Sequence, residues 1–152
     1  GEEIVPVAKL NDHKQDAILH NYYTTKLLER LLQRISTETG LSSNELIVIH
    51  YLSCFPNSNV TKDMSLFTDI NQFLLVPLLE KLVFNEYVTR VKSSDFETYY
   101  SLTQKAKSIT KQLNQLTQDF DSIRFAGIEP STQKLLQSTE ETIYENIRQK
   151  LT

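Results

Sequence analysis

The hydrophobic pattern of this sequence changes its period once, between residues 87 and 102. Two short segments there, residues 87–92 and 98–102, are rich in β-branched and aromatic side chains, and a polar tip at residues 93–97 separates them. This pattern is typical of an antiparallel β-hairpin. Elsewhere the apolar residues recur at helical spacing, and only three glycines and four prolines interrupt the chain. The sequence therefore predicts a mainly α protein with one small hairpin.

Long helices are predicted at both ends of the chain. Residues 12–39 contain neither glycine nor proline, and their apolar stripe predicts a helix of about 25 residues that ends at Gly40. After Thr103, a suitable N-cap residue, a second long helix extends to a break at residues 126–130, and a last helix starts at Ser131. The stripes of these two helices are Ala106, Ile109, Leu113, Leu116, Phe120 and Ile123, and then Leu135, Leu136, Thr139, Ile143, Ile147 and Leu151. Because one small core cannot bury so much apolar surface, we expect dimerisation through the chain ends.

Three shorter helices are predicted between the first long helix and the hairpin. Ser42 and Glu45 have the Ser-x-x-Glu spacing of a capping box, which starts a helix through residues 46–55. A short helix follows over residues 61–67, and a further one runs over about residues 71–85. Three helices followed by a two-stranded wing make a winged helix-turn-helix.

The length of 152 residues fits a single domain. We therefore assign residues 1–152 to one domain with two functional parts. Residues 41–102 form the winged helix-turn-helix, and residues 12–39 and 103–152 form the dimerisation helices.

Four short motifs follow one another within residues 41–111. They are Leu41-Ser42-x-x-Glu45, Leu79-Glu80-Lys81-Leu82, Tyr87-Val88-x-Arg90 and Ser101-Leu102-Thr103. In order and spacing this segment resembles the MarR family of transcription regulators, and the proline in Val76-Pro77-Leu78-Leu79 resembles the OhrR and MgrA branch. The resemblance implies a homodimer, commonly a repressor, that places the helix of residues 71–85 in the major groove of a palindromic DNA site as a recognition helix.

The resemblance also assigns candidate DNA contacts. Charged and polar candidates lie in the helix-turn-helix and at the base of the wing, and apolar ones at the start of the recognition helix. The candidates are Lys62, Gln72, Phe73, Leu74, Val76, Lys81, Arg90 and Lys92. Two alternatives stay open: the charged residues form a solvated face, or Phe73, Leu74 and Leu75 pack into the domain core.

Three features depart from the family pattern. Phe73, Leu74 and Val76 replace polar side chains of the family, and in the major groove such residues can contact only thymine methyl groups. The wing tip, Ser94-Asp95-Phe96-Glu97, lacks the family's arginine, and the first helix lacks the sensing cysteine of the OhrR and MgrA branch. The net charge of −3 adds no general attraction to nucleic acid. The alternative function is a winged-helix protein-interaction module that has lost sequence-specific DNA binding.

A small aromatic effector is a further implication of the resemblance. Its site would be the crevice between the dimerisation helices and the winged domain. The candidate lining residues are Tyr22, Tyr23, Tyr51 and Phe55, and packing in the core is their other interpretation. An effector there would change the spacing of the two recognition helices in the dimer and lower the affinity for DNA.

No pattern in the sequence indicates catalysis, a cofactor or a metal. We find no nucleophile with a neighbouring base, no Gly-rich phosphate loop and no paired carboxylates, and we expect no enzyme. His13, His20 and His50 lack companions at metal-ligand spacing, and Cys54 is expected to be a small buried hydrophobe. We expect a cytoplasmic protein, because the sequence has a single cysteine and residues 1–6 do not resemble a secretory signal. We expect no membrane span, because no apolar run reaches about 20 residues.

Overall fold

The computed structural model describes residues 14–56, 72–92 and 98–151, apart from the side chains of Gln72 and Lys92. Its elements, in chain order, are α1 (Ala17–Thr39), α2 (Ser43–Cys54), α3 (Gln72–Phe84), β1 (Val88–Lys92), β2 (Thr98–Leu102), a 3-10 turn (Gln104–Ala106), α4 (Lys107–Arg124) and α5 (Pro130–Leu151). The predicted fold class, mainly α with one small hairpin, is confirmed. The predicted short helix at residues 61–67 and the wing tip at residues 93–97 lie outside the described residues.

Helix α1 begins with a side-chain cap from Asp16. Lys14 and Gln15 form a turn, and the Asp16 carboxylate accepts a hydrogen bond from the backbone N–H of Leu19 at 2.9 Å, which makes Asp16 the N-cap. The 23 residues of this helix agree with the predicted length of about 25. The predicted end is confirmed, since Gly40 adopts φ 76° and donates its N–H to the Ser36 carbonyl.

The start of α2 confirms the predicted capping box. The Ser42 hydroxyl accepts from the backbone N–H of Glu45 at 3.1 Å, and the Glu45 carboxylate accepts from the backbone N–H of Ser42 at 3.0 Å. Leu41 and Leu46, which flank this box, are both buried in the core. The box therefore fixes where the chain enters the winged domain.

Helix α3 packs one face into the core despite an internal proline. Leu75, Leu79 and Leu82 are fully buried. Pro77 has no backbone N–H, so it cannot donate to the carbonyl of Phe73 one turn earlier. The missing bond lies in the first two turns of the helix, and the buried leucines on the opposite face hold the helix in place.

A tight turn joins α3 to the hairpin. Glu86 has φ 65°, Tyr87 donates its N–H to the Leu82 carbonyl, and Glu86 donates to the Val83 carbonyl. These two bonds form a Schellman motif, with Glu86 at the left-handed position that glycine usually occupies. Tyr87 therefore belongs to the turn, and the predicted start of the strand at residue 87 is wrong by one residue.

Two side chains from the segment after β2 stabilise this turn. The Thr103 hydroxyl donates to the Glu86 carbonyl at 2.5 Å, and the Lys105 ammonium donates to the Asn85 carbonyl at 2.8 Å. The Lys105 ammonium also lies 4.5 Å from the centre of the Tyr87 ring. Thr103 is the N-cap of the 3-10 turn, as predicted, but its side chain makes no capping bond to that turn.

One core joins these elements. Helix α4 packs against α1 and α2, the hairpin packs against α2 and α3, and the buried apolar side chains of all these elements form one cluster. No helix in the described part of the chain is long and apolar enough to cross a membrane.

Helix α5 lies outside this core. It begins at Pro130, within the predicted break, because proline suits the first position of a helix. None of its described residues is buried, and the stripe side chains Leu135, Ile143, Ile147 and Leu151 are exposed. Ile123, at the end of the α4 stripe, is also exposed. The excess of apolar surface predicted for the C-terminal helices is therefore present in the single chain.

An arginine connects α4 to α5. Arg124 donates to both carboxylate oxygens of Glu140, at 2.9 and 3.2 Å, and to Asp121 at 2.9 Å. Its guanidinium lies 4.7 Å from the Phe120 ring centre and 4.8 Å from that of Phe125. The hydrogen bond to Glu140 raises the pKa of Arg124. This bidentate pair fixes the direction in which α5 leaves the core.

Candidate nucleic-acid interface

The outward face of α3 begins with an exposed apolar patch, formed by Phe73, Leu74 and Val76. The Phe73 side chain is 90% exposed, and Leu74 and Val76 are exposed as well. Of the three residues with a predicted alternative place in the core, Phe73, Leu74 and Leu75, only Leu75 is buried. The interpretation that Phe73 and Leu74 pack into the core is therefore wrong.

Helical spacing extends this face along α3. Val76, Glu80 and Phe84 follow Phe73 at intervals of three and four residues, so all four lie on one side of the helix, opposite the buried leucines. Phe84 is 85% exposed at the C-terminal end. The described part of this face thus has a carboxylate near its middle and large apolar side chains at both ends.

Arg90, at the base of the wing, contacts this face through Glu80. Its Nη2 lies 3.4 Å from Glu80 Oε2, and the Tyr100 hydroxyl donates to Glu80 Oε1 at 3.4 Å. Arg90 and Tyr100 are direct partners across the two antiparallel strands. Burial, and secondarily the Glu80 charge, raise the pKa of Tyr100. We call Glu80, Arg90 and Tyr100 the Glu80 cluster; it connects α3 to both strands of the hairpin.

Lys81 also has an acidic neighbour, at a longer distance than that between Arg90 and Glu80. Its Nζ lies 3.7 Å from Glu45 Oε1, the same oxygen that accepts the Ser42 N–H, and its side chain is 65% exposed. Glu45 itself is buried, and its Oε2 has no hydrogen-bond partner. At this distance the ammonium stays largely in solvent, where a phosphate can approach it.

Three of the candidate DNA contacts are not described by the structure. Lys62 lies outside the described residues, and so do the side chains of Gln72 and Lys92. Their assignment stays a prediction.

The candidate effector residues form two separate aromatic pairs. The Tyr51 and Phe55 rings lie 5.0 Å apart on α2, with Tyr51 buried and Phe55 exposed. Tyr22 packs edge-on against Tyr23, 5.5 Å away on α1, and the Lys26 ammonium lies over its ring. Tyr51 is therefore a core residue, and the role of Tyr22, Tyr51 and Phe55 in binding a ligand stays a prediction.

Cys54 is exposed at the end of α2, so its predicted burial is wrong. Its Sγ lies 3.6 Å from Nε2 of His50, one turn earlier. Burial lowers the pKa of His50. Within residues 14–56, 72–92 and 98–151, no three His, Cys, Asp or Glu side chains are grouped in a way that would hold a metal ion.

The sequence reasoning missed Glu80, Tyr100 and Glu45 as partners of the candidate cations. The sequence did contain a signal for Glu80. It lies only ten residues before Arg90, and a tight turn between the end of the helix and the strand brings the two residues close together. Tyr100 requires the strand register, in which Arg90 is paired with Tyr100, and the sequence pattern does not determine that register.

No protein-family model matches the sequence, and no curated protein is similar to it in sequence. Solved structures do match the fold. A MarR-family regulator from Silicibacter pomeroyi aligns with a TM-score of 0.75 at 19% identity, over 88% of this chain and 91% of that one. A MarR-family regulator from Listeria monocytogenes, solved in complex with a 26-mer DNA, aligns with a TM-score of 0.75 at 12% identity, over 90% and 92% of the two chains. The reduced form of MarR from E. coli aligns with a TM-score of 0.65 at 15% identity, over 84% and 95%.

These similarities establish the fold. The chain has the winged-helix fold of MarR-family transcriptional regulators, as the sequence motifs predicted.

Proposed function

We propose that this protein is a DNA-binding transcriptional regulator, acting as a homodimer on a palindromic site. The observation that carries the proposal is the winged-helix arrangement, in which the exposed face of α3 stands beside the hairpin, as in regulators of the MarR fold. One structure of that fold, from Listeria monocytogenes, contains DNA. As a regulator of transcription the protein would act in the cytoplasm, most simply as a repressor and without catalytic activity.

The dimensions of α3 suit the major groove. Its 13 residues give a length of about 20 Å at 1.5 Å per residue. Helix-turn-helix proteins insert the N-terminal part of such a helix into the major groove. Phe73, Leu74 and Val76 would then meet the base edges, while Lys81 and the hairpin residues Arg90 and Lys92 would meet the backbone. Lys62 and Gln72, which precede the exposed face in the sequence, are further candidate contacts.

The proposed dimer would form through the apolar stripe of α5. A 22-residue helix whose apolar stripe lies outside its own core is stable only when another surface covers that stripe. A second copy of the chain offers the same stripe, and exposed Ile18 and Tyr22 on α1 add to the available apolar surface. Two-fold symmetry would present two copies of α3 to successive major grooves, which selects a palindrome.

The apolar patch should recognise thymine methyl groups. Replacing thymine with uracil in the preferred duplex removes those methyls, and wild-type binding should weaken about four-fold for each fully covered methyl, from about 0.8 kcal/mol per buried carbon. The Phe73→Ala variant should show a smaller difference between the two duplexes. Fluorescence anisotropy with matched thymine and uracil duplexes measures both effects.

Phe84→Ala is the matched control for Phe73→Ala. Phe84 is similarly exposed on the same face, but about 16 Å further along the helix, away from the end that enters the groove. The control should keep the full preference for thymine. Equal binding of both duplexes by the wild-type protein would remove the patch from base recognition.

Arg90 should contribute a contact to phosphate and not to a base. The Arg90→Ala variant should therefore bind all duplexes more weakly by about the same factor, and the slope of log K against log salt should flatten by about one unit. Binding isotherms at four or more salt concentrations, on two unrelated duplexes, measure both quantities. An unchanged slope would exclude Arg90 from the contacts.

The effector is a further part of the proposal. A small aromatic ligand near Tyr22, Tyr51 and Phe55 would lie between the dimerisation helices and the winged domain, where it would alter the distance between the two copies of α3. The exposed Phe55 ring beside the buried Tyr51 supports a ligand contact at this end of α2.

The apolar patch also favours a second candidate function, a winged-helix module that binds a protein. Exposed large apolar side chains are common at protein interfaces, and the candidate cations Lys81 and Arg90 both have acidic neighbours. Under this alternative the protein would not bind duplex DNA even at low salt. DNA binding that Arg90→Ala weakens would contradict it.

A further inference from the structure

The Glu80 cluster places an acidic side chain on the face of α3 that would enter DNA. Glu80 lies between Val76 and Phe84 on this face, and its Oε2 is 3.4 Å from Arg90 Nη2. We propose that Glu80 lowers DNA affinity by holding Arg90, so that Arg90 must exchange a carboxylate for a phosphate when the protein binds. This inference rests on the proposed DNA-binding function.

The geometry of the pair permits this exchange. The side chains of Arg90 and Glu80 are 53% and 42% exposed, so water and salt reach both groups. Exposed ion pairs of this kind are weak, and a DNA phosphate is a stronger competitor because many charges surround it. The pair therefore reduces binding without preventing it.

Tyr100 adds a long, weak hydrogen bond to the other oxygen of the Glu80 carboxylate. Its hydroxyl, on the half-buried side of the cluster, donates to Glu80 Oε1 and leaves Oε2 directed at Arg90. When Arg90 turns to a phosphate, Glu80 keeps this neutral donor and stays on the α3 face. Glu80 is thus a positioning residue that acts through Arg90, and it makes no favourable contact with DNA itself.

The consequence concerns general affinity. Because the exchange is the same for every phosphate, Glu80 should weaken binding to all sequences equally and leave the choice of sequence to the start of α3. Lys81, which follows Glu80 on α3 and lies near Glu45 of α2, is a second cation with an acidic neighbour. The described part of the interface is therefore restrained in its attraction to DNA of arbitrary sequence.

The test compares Glu80→Gln with wild type on two duplexes, one preferred and one unrelated. Glutamine has nearly the same shape, can still accept from Tyr100 and carries no charge. It should raise affinity for both duplexes about three- to five-fold and leave their ratio unchanged. In an Arg90→Ala background the same substitution should change affinity less than about two-fold, because no arginine is left to release.

Tyr100→Phe is the control for altered wing geometry. It removes the hydroxyl bond but keeps the Glu80 charge, so it should change affinity less than about two-fold. The inference is wrong if Glu80→Gln leaves affinity unchanged or lowers it, if its gain persists in the Arg90→Ala background, or if Tyr100→Phe gives the same gain. If neither wild type nor any variant binds DNA at low salt, the proposed function itself fails. Circular dichroism of each variant verifies that it is folded.

Discussion

Replacing Ile143 with glutamate should leave the protein monomeric and weaken its binding to a palindromic duplex at least about 100-fold. Ile143 lies near the middle of the exposed apolar stripe of α5. In a symmetric dimer the substitution would bury two unpaired carboxylates in one apolar interface, at a cost of several kcal/mol. A monomer would bind one half-site at a time and lose the advantage of two linked contacts.

Sedimentation velocity gives the oligomeric state of this variant, and anisotropy on the same palindrome gives its affinity. Ser138→Glu is the matched control, since Ser138 is exposed on the opposite side of α5 and the added charge is the same. The control should remain dimeric and bind like wild type. A dimeric Ile143→Glu variant would mean that the stripe of α5 is not the dimer interface.

Replacing Leu79 with alanine should lower the free energy of unfolding by about 2–5 kcal/mol. Leu79 is fully buried on the inner face of α3, where the surrounding helices and hairpin prevent the cavity from closing. A loss of this size is a large fraction of the stability of a small domain. Because α3 is also the helix proposed to contact DNA, the variant should bind DNA more weakly as the temperature rises.

Urea unfolding at one fixed protein concentration measures this effect, since the stability of a dimer depends on concentration. Phe73→Ala is the control on the same helix. It removes a larger side chain that is already in solvent, so stability should change by less than about 0.5 kcal/mol. A similar loss in both variants would show that Phe73 is packed in solution.

Local signals made much of the fold predictable. The Ser42 and Glu45 capping box and the Gly40 helix end each depend on a few neighbouring residues, so the sequence alone determined them. The hairpin followed from its pattern of β-branched and aromatic residues. The MarR-like arrangement followed from the order of these elements.

The features that the sequence did not predict concern interactions between elements. Thr103 lies at the predicted N-cap position, but its hydroxyl donates to the Glu86 carbonyl instead of capping the turn that follows. Glu86 adopts a left-handed backbone that its residue type does not favour, because the Schellman bonds and the packing of Tyr87 determine the turn. Such positions depend on tertiary context, which overrides local preference.

The secondary-structure elements that contain the candidate residues were predictable, but the electrostatic surroundings of these residues were not. The motifs placed Lys81 in the helix before the hairpin and Arg90 on the first strand of the hairpin, and the structure has them there. Their acidic neighbours, Glu45 and Glu80, are themselves part of the same motifs and appeared only as helix residues in the sequence. Only the packing of the hairpin and of α2 against α3 shows that each cation faces a carboxylate.

The most direct test of a DNA-binding regulator is to select bound sequences from a pool of random duplexes at two salt concentrations. The account predicts enrichment of a thymine-containing palindrome, with half-sites about one helical turn apart and retention that falls steeply at the higher salt. Retention of no duplex at the lower salt would contradict the account and favour the protein-binding module.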